Sequence, residues 1–120
     1  MKIIIKGTNL EQTEALKSYV NEKIGRLEHY SYEIMEARVE LETSAHHQKG
    51  FFRCEVNLDL PHMNVIRAEA TDADLYAAID LVVPKLRVEL ERHKGRTHGE
   101  DRRLKRYMKS MFAWRPWRKN

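Results

Sequence analysis

One cysteine, three prolines and five glycines in 120 residues leave several classes of protein without the residues they need. With Cys54 alone there is no internal disulfide and no thiol pair for a metal, so packing must hold the fold and a reducing compartment is the default. Long apolar runs are missing too. Ile3-Ile4-Ile5 and Leu81-Val82-Val83 are far shorter than a signal-peptide core or a membrane span, and the expectation is a soluble, cytoplasmic protein with no membrane partner. Glycine-rich phosphate cradles, dinucleotide turns, nucleophile elbows and HExxH zinc motifs are all absent. His46-His47 lie in a polar loop and His93 and His98 have no third ligand beside them, so neither pair reads as a metal site. Cys54 points to the core by alternation and reads as a small hydrophobe. The expectation is a non-enzyme with no catalytic residue, cofactor, metal or small-molecule substrate.

What the chain does have is an uneven charge. From residue 1 to 91, 11 Lys or Arg stand against 16 Asp or Glu; from 92 to 120, 11 stand against 2. The basic end also carries Tyr107, Phe112, Trp114 and Trp117. A compact acidic body with a basic, ring-bearing tail points to a polyanion with flat faces to stack on, and RNA fits best.

Periodicity supplies the body. Lys2 to Lys6 is a short β-branched strand closed by Gly7. Thr13 caps a helix on which Leu16, Val20, Ile24 and Leu27 share one face, ending near Ser31. Met35, Ala37, Val39 and Leu41 then alternate with polar residues, as do Phe52, Cys54, Val56, Leu58 and Leu60; after a turn at Pro61-His62, Val65 to Ala70 completes a three-stranded meander. Asp72 caps a second helix whose Leu75, Ile79, Val82, Val83, Leu86 and Leu90 face inward, with a kink expected at Pro84. The expected fold is α+β, in the order β-α-β-β-β-α, a four-stranded sheet with both helices on one face and a basic C-terminal tail. Residues 1–96 form the domain and 97–120 the tail, mostly mobile when free, although Leu104, Met108, Met111 and Phe112 can line one side of a short helix that needs a partner.

The open sheet face would show Glu36, Glu40, Glu42, Glu55, Asp59 and Glu69 against Arg38, Arg53 and Arg67, a surface that repels phosphate and pairs its own charges across strands. The helices offer the reverse. At about 100° per residue, Tyr19, Lys23, Arg26 and Tyr30 fall on one flank of the first helix. Lys85, Arg92 and Arg96 make a similar flank on the second, and Arg87 and Lys94 a lesser one opposite. Basic flanks turned to a common groove make a phosphate-binding cleft, which the tail continues with Arg102, Arg103, Lys105, Arg106, Trp114 and Trp117.

The run Asp74-Leu75-Tyr76-Ala77-Ala78-Ile79-Asp80, with Lys85-Leu86 and His93-Lys94 downstream, resembles the second helix of the ribosome hibernation-promoting factors and the ribosome-associated inhibitor, protein Y; Thr13-Glu14-Ala15-Leu16 and Leu27-Glu28-His29-Tyr30 resemble their first. The likeness runs from Met1 to about Arg96 and is to the short form of the family. It implies a fold related to the double-stranded RNA-binding domain, with the small ribosomal subunit and its ribosomal RNA as partners, bound between head and body where tRNA and messenger RNA lie. It implies silencing of translation in slow growth, hence a role in stress and stationary phase. By position it carries RNA contact to Lys23, Arg26, His29, Lys85, Arg92, Lys94 and Arg96. Val88, where relatives can place Arg, and Pro84 depart from the pattern, and the residues after Arg96 are too few for the C-terminal domain with which long forms pair ribosomes. Two alternatives remain: a plain double-stranded RNA-binding module, and a factor that docks on a membrane or a protein through its basic amphipathic tail.

Overall fold

The computed structural model describes residues 1–30, 33–43 and 50–112, with side chains as far as residue 95. In chain order these form β1 (Lys2–Thr8), α1 (Glu14–Gly25), a 3-10 turn (Arg26–His29), β2 (Glu36–Thr43), β3 (Phe52–Leu60), β4 (Asn64–Asp72) and α2 (Leu75–Phe112). The order and the α+β class are those the periodicities imply. The chain divides into two compact units, Met1–Leu90 and Glu91–Asn120.

In the first unit the sheet order is β1-β2-β3-β4. β1 pairs parallel with β2, a connection that needs a crossover and finds it in α1, while β2, β3 and β4 are an antiparallel meander. Alternation then separates the two faces. Ala37, Val39 and Leu41 of β2, Cys54, Val56, Leu58 and Leu60 of β3, and Ile66 and Ala70 of β4 are buried with Leu16, Val20 and Ile24 of α1, Leu27 of the 3-10 turn and Ala78, Ile79, Val82, Leu86 and Leu90 of α2. Both helices therefore cover one side of the sheet, and the other is open. Burial pushes the Cys54 thiol up to about 12, which keeps it protonated and unreactive in the core.

Caps set the helix starts. The Thr13 hydroxyl accepts from Leu16 N–H at 3.1 Å, as its position before an apolar stripe implies. The second cap differs from expectation. Asp74, not Asp72, accepts from Tyr76 N–H at 3.1 Å, and its carbonyl takes the first intrahelical bond from Ala78. Asp72 closes a turn one step earlier by accepting from Asp74 N–H at 2.9 Å. Met35, expected to point inward, is 62% exposed, because β2 begins only at Glu36 and the buried place ahead of it is filled by Ile34. Between β3 and β4 the turn places His62 and Met63 at φ 63° and 61°, the left-handed pair that a hairpin of right-twisted strands requires.

α2 passes through Pro84 and continues to Phe112, 38 residues in all. Pro84 has no N–H for the Asp80 carbonyl, but the bonds on either side carry the helix past that gap. The helix thus extends beyond the Arg96 boundary read from the sequence. Gly95 and Gly99 do not end it, since glycine lowers helix propensity by only about 1 kcal/mol and ends a helix reliably only in a left-handed cap.

Candidate nucleic-acid interface

The two faces of the first unit carry opposite chemistry. On the open sheet face, register places Glu40, Glu55 and Glu69 directly opposite one another across β2, β3 and β4. Three carboxylates in a row repel. The row holds because Arg53, one step along β3, lies among them: its guanidinium donates to Glu42 at 2.9 Å, Glu55 at 3.1 Å, Glu69 at 3.2 Å and Glu40 at 3.5 Å. Arg67 donates to Glu55 and to Glu69, and Arg38 grips Asp59 with two bonds of 3.1 and 2.6 Å. Burial by itself would raise the Glu55 carboxyl, but the bonds from Arg67 and Arg53 outweigh it and hold the group below the usual carboxylate range. This surface is internally paired, as expected of it, and presents no cationic track to a phosphate backbone.

On the helix side, α1 and α2 meet through polar and aromatic side chains. The Tyr19 hydroxyl of α1 donates to Asp80 Oδ1 of α2 at 2.6 Å, and the Tyr19 ring stands edge to face with Tyr76 at 4.8 Å. Lys23 lies 3.9 Å from Asp80 Oδ1, with its ammonium 5.4 Å from the centre of the Tyr19 ring. Two turns further on, the Arg87 guanidinium covers the Tyr30 ring at 4.8 Å. Arg26 is exposed and paired with Glu22 at 2.8 Å, and His29 is exposed at the end of the 3-10 turn.

The predicted residues are therefore sorted differently from the helical-wheel reading. Lys23 is on the α1 flank beside α2, but its counterpart there is Arg87, from the flank that ranked second. Lys85 is turned the other way and donates to the Glu69 carbonyl of β4 at 2.8 Å. The physical reason is the placement of α2 over the sheet: Asp80 and Arg87 are seven residues apart, two helical turns, and share the side facing α1, whereas Lys85 falls on the side facing the β4 edge. In the second unit, Arg92 and Lys94 are exposed on α2. Arg96, Arg102, Arg103, Lys105 and Arg106 lie on the backbone of the same helix with side chains outside the described residues, and Trp114, Trp117 and His46-His47 lie outside them altogether. Among the described residues no three His, Cys, Asp or Glu converge on a metal position, and no helix is long and apolar enough to cross a membrane. The wheel did not reveal Asp80 as the partner of Tyr19 and Lys23; its spacing of four from Tyr76 was the available signal.

The family described as sigma 54 modulation protein / S30EA ribosomal protein matches residues 3–98. The chain belongs to this family. It is similar to the ribosome hibernation promotion factor of Lactococcus lactis subsp. cremoris, 35% identical over 103 residues that make up 85% of this chain and 54% of the relative. It is also similar to the ribosome hibernation promotion factor of Deinococcus radiodurans, 37% identical over 113 residues, 93% of this chain and 53% of the relative. The chain thus spans about half the length of the curated relatives it matches. Among solved structures, the Thermus thermophilus Protein Y N-terminal domain aligns with a TM-score of 0.66 at 37% identity, covering 78% of this chain and 99% of that one. A ribosomal subunit interface protein from Coxiella burnetii aligns with a TM-score of 0.70 at 25% identity, covering 79% and 99%. The family and the β-α-β-β-β-α fold that the helix motifs imply are the ones found.

Proposed function

We propose that the protein is a cytoplasmic ribosome hibernation factor that binds the small ribosomal subunit in the tRNA and messenger RNA channel and keeps the ribosome inactive. One observation carries the choice of surface: on the helix side Lys23 and Arg87 lie against the Tyr19 and Tyr30 rings, and Arg26 is exposed in a pair with Glu22, whereas on the sheet face Arg53 is held among four carboxylates and Arg67 between two. Cations beside rings suit phosphates with unpaired bases between them. The names of the relatives, ribosome hibernation promotion factor and ribosomal subunit interface protein, support the ribosome as partner, and the choice of its small subunit is part of the proposal. Nothing in this reading calls for catalysis; the protein acts by occupying a site. His29 belongs to the same contact, and in the second unit Arg92, Lys94 and the basic stretch from Arg96 to Arg106 make phosphate contacts of their own, with Trp114 and Trp117 stacking on bases. Lys85 contributes less, because one of its donors already ties α2 to β4.

Sedimentation of purified small subunits, large subunits and whole ribosomes through sucrose with the protein tests this directly. It should travel with small subunits and whole ribosomes and leave large subunits empty. With roughly 6 to 10 phosphates neutralised, affinity should fall ~10³-fold or more between about 50 and 200 mM salt. Co-migration with large subunits alone, or a flat response to salt, would overturn the proposal.

A further inference from the structure

Asp80 is the wrong charge for the place it occupies. It stands amid the helix-side cations with its side chain 49% exposed, close enough to Lys23 to offset much of that ammonium's pull on a phosphate. The hydrogen bond that joins it to Tyr19 does not need a charge, and an exposed pair with Lys23 adds little to stability. The Tyr19 hydroxyl needs an acceptor, and a neutral amide oxygen accepts as well. What the carboxylate adds is repulsion of any phosphate that approaches Lys23 from its side. Tyr19 fixes where that repulsion acts. The short bond from its hydroxyl holds Oδ1, and the bond to Asp80 foremost, with desolvation and the nearby charge, pushes the phenol up to about 12, so it stays a donor throughout the physiological range. Oδ2 accepts no hydrogen bond among the described residues and remains open to a donor from outside.

We propose that Asp80 is a specificity-determining residue for the RNA contact, held in place by Tyr19, that weakens binding to arbitrary polyanions and favours an RNA site presenting a base N–H donor to its carboxylate. The inference rests on the RNA reading above and deepens it. A phosphate track without such a donor meets Lys23 half neutralised. A site that places an exposed amino group, of the kind cytosine and guanine carry, against Oδ2 turns the repulsive element into a contact and leaves Lys23 to a phosphate on its other side. A selectivity made by rejecting wrong partners lowers affinity for all of them a little, which suits a factor surrounded by bulk RNA.

The test compares wild type, Asp80→Asn and Tyr19→Phe on two ligands: heparin, a polyanion without bases, and isolated small ribosomal subunits, both at about 100 mM salt. Asp80→Asn keeps an acceptor for Tyr19 and removes only the charge, so it should bind heparin about twofold tighter, the size expected for one screened unit charge roughly 6 Å from an anion. On small subunits it should be no tighter, or several-fold weaker, so the ratio of the two affinities shifts toward heparin. Tyr19→Phe keeps the ring and the charge but frees the carboxylate's position, and should weaken subunit binding by a larger factor than heparin binding. Equal gains on both ligands with Asp80→Asn, or no change on heparin, would overturn the inference. Wild-type protein that binds heparin but not small subunits would overturn the functional proposal itself, a result distinct from either. Thermal melts of both variants separate these effects from loss of fold, and should the aspartate variant melt early, Tyr19→Phe decides by whether its loss on subunits exceeds its loss on heparin.

Discussion

Arg53 is the residue whose loss should do most damage for its size, and the damage should be structural alone. Its side chain is 19% exposed and lies among Glu42 at 22%, Glu55 at 14% and Glu40 at 30%, with Glu69 more open at 44%. Replacing it with Met keeps much of the apolar stem and removes the guanidinium. Two well-formed bonds to half-buried carboxylates are lost, each worth about 1.5 kcal/mol in such a setting, while the bonds to Glu40 and Glu69, longer or more exposed, contribute a few tenths. The row Glu40, Glu55 and Glu69 is then left with Arg67 as its remaining guanidinium, which adds repulsion. The sum is a loss of about 3 kcal/mol, or roughly 12 to 24 °C in Tm for a folded unit of this size. Urea denaturation followed by circular dichroism measures it, with the midpoint falling and the m-value unchanged. Adding Glu55→Gln to Arg53→Met should return at least about 1 kcal/mol by removing the central charge of the row. A loss under about 1 kcal/mol, or a double variant less stable than the single, would refute the view that Arg53 neutralises this face.

Acid should act through the same row. Because the folded Glu55 carboxyl titrates below the usual range, its contribution is complete above the pKa it has when unfolded and disappears as pH falls through the folded value; stability should drop below about pH 4, and Glu55→Gln should lessen that drop, as melts from pH 7 to 3 will show. For the second unit, truncation after Arg96 should weaken ribosome binding at least tenfold with no change in Tm. Trp114→Ala with Trp117→Ala should reproduce part of the loss at constant charge, each stacked ring being worth about 1 to 3 kcal/mol. Fluorescence anisotropy with labelled subunits measures both, and a large fall in Tm on truncation would instead mean that Leu104, Met108 and Phe112 pack on the domain.

The fold was legible because the strands alternate and the helix stripes repeat. Leu16, Val20, Ile24 and Leu27, and Ile79, Val82, Leu86 and Leu90, are all buried where their spacing puts them. The errors lie at ends and along the long helix. Met35 extends an alternation one residue past the strand that produced it, and Asp72 and Asp74 are equally good caps until hydrogen bonds choose between them. No local signal stops α2 after Arg96, and none says so in advance. The cation-rich flanks were legible one helix at a time, but which flanks face each other depends on how α2 lies over the sheet. That placement exchanges Lys85 for Arg87 beside α1, and neither helix encodes it alone.

The central claim is that the helix side of the first unit, and not its sheet face, meets ribosomal RNA. Binding to isolated small subunits should be measured across about 50 to 200 mM salt for Lys23→Glu/Arg26→Glu/Arg87→Glu and for Glu36→Lys/Glu40→Lys/Glu42→Lys, after melts confirm that both are folded. The helix-side variant is predicted to lose binding and to flatten the salt slope by about 3, one for each phosphate contact removed, while the sheet-face variant keeps its slope and an affinity no weaker than wild type. Loss of binding by the folded sheet-face variant with retention by the helix-side variant would contradict the account.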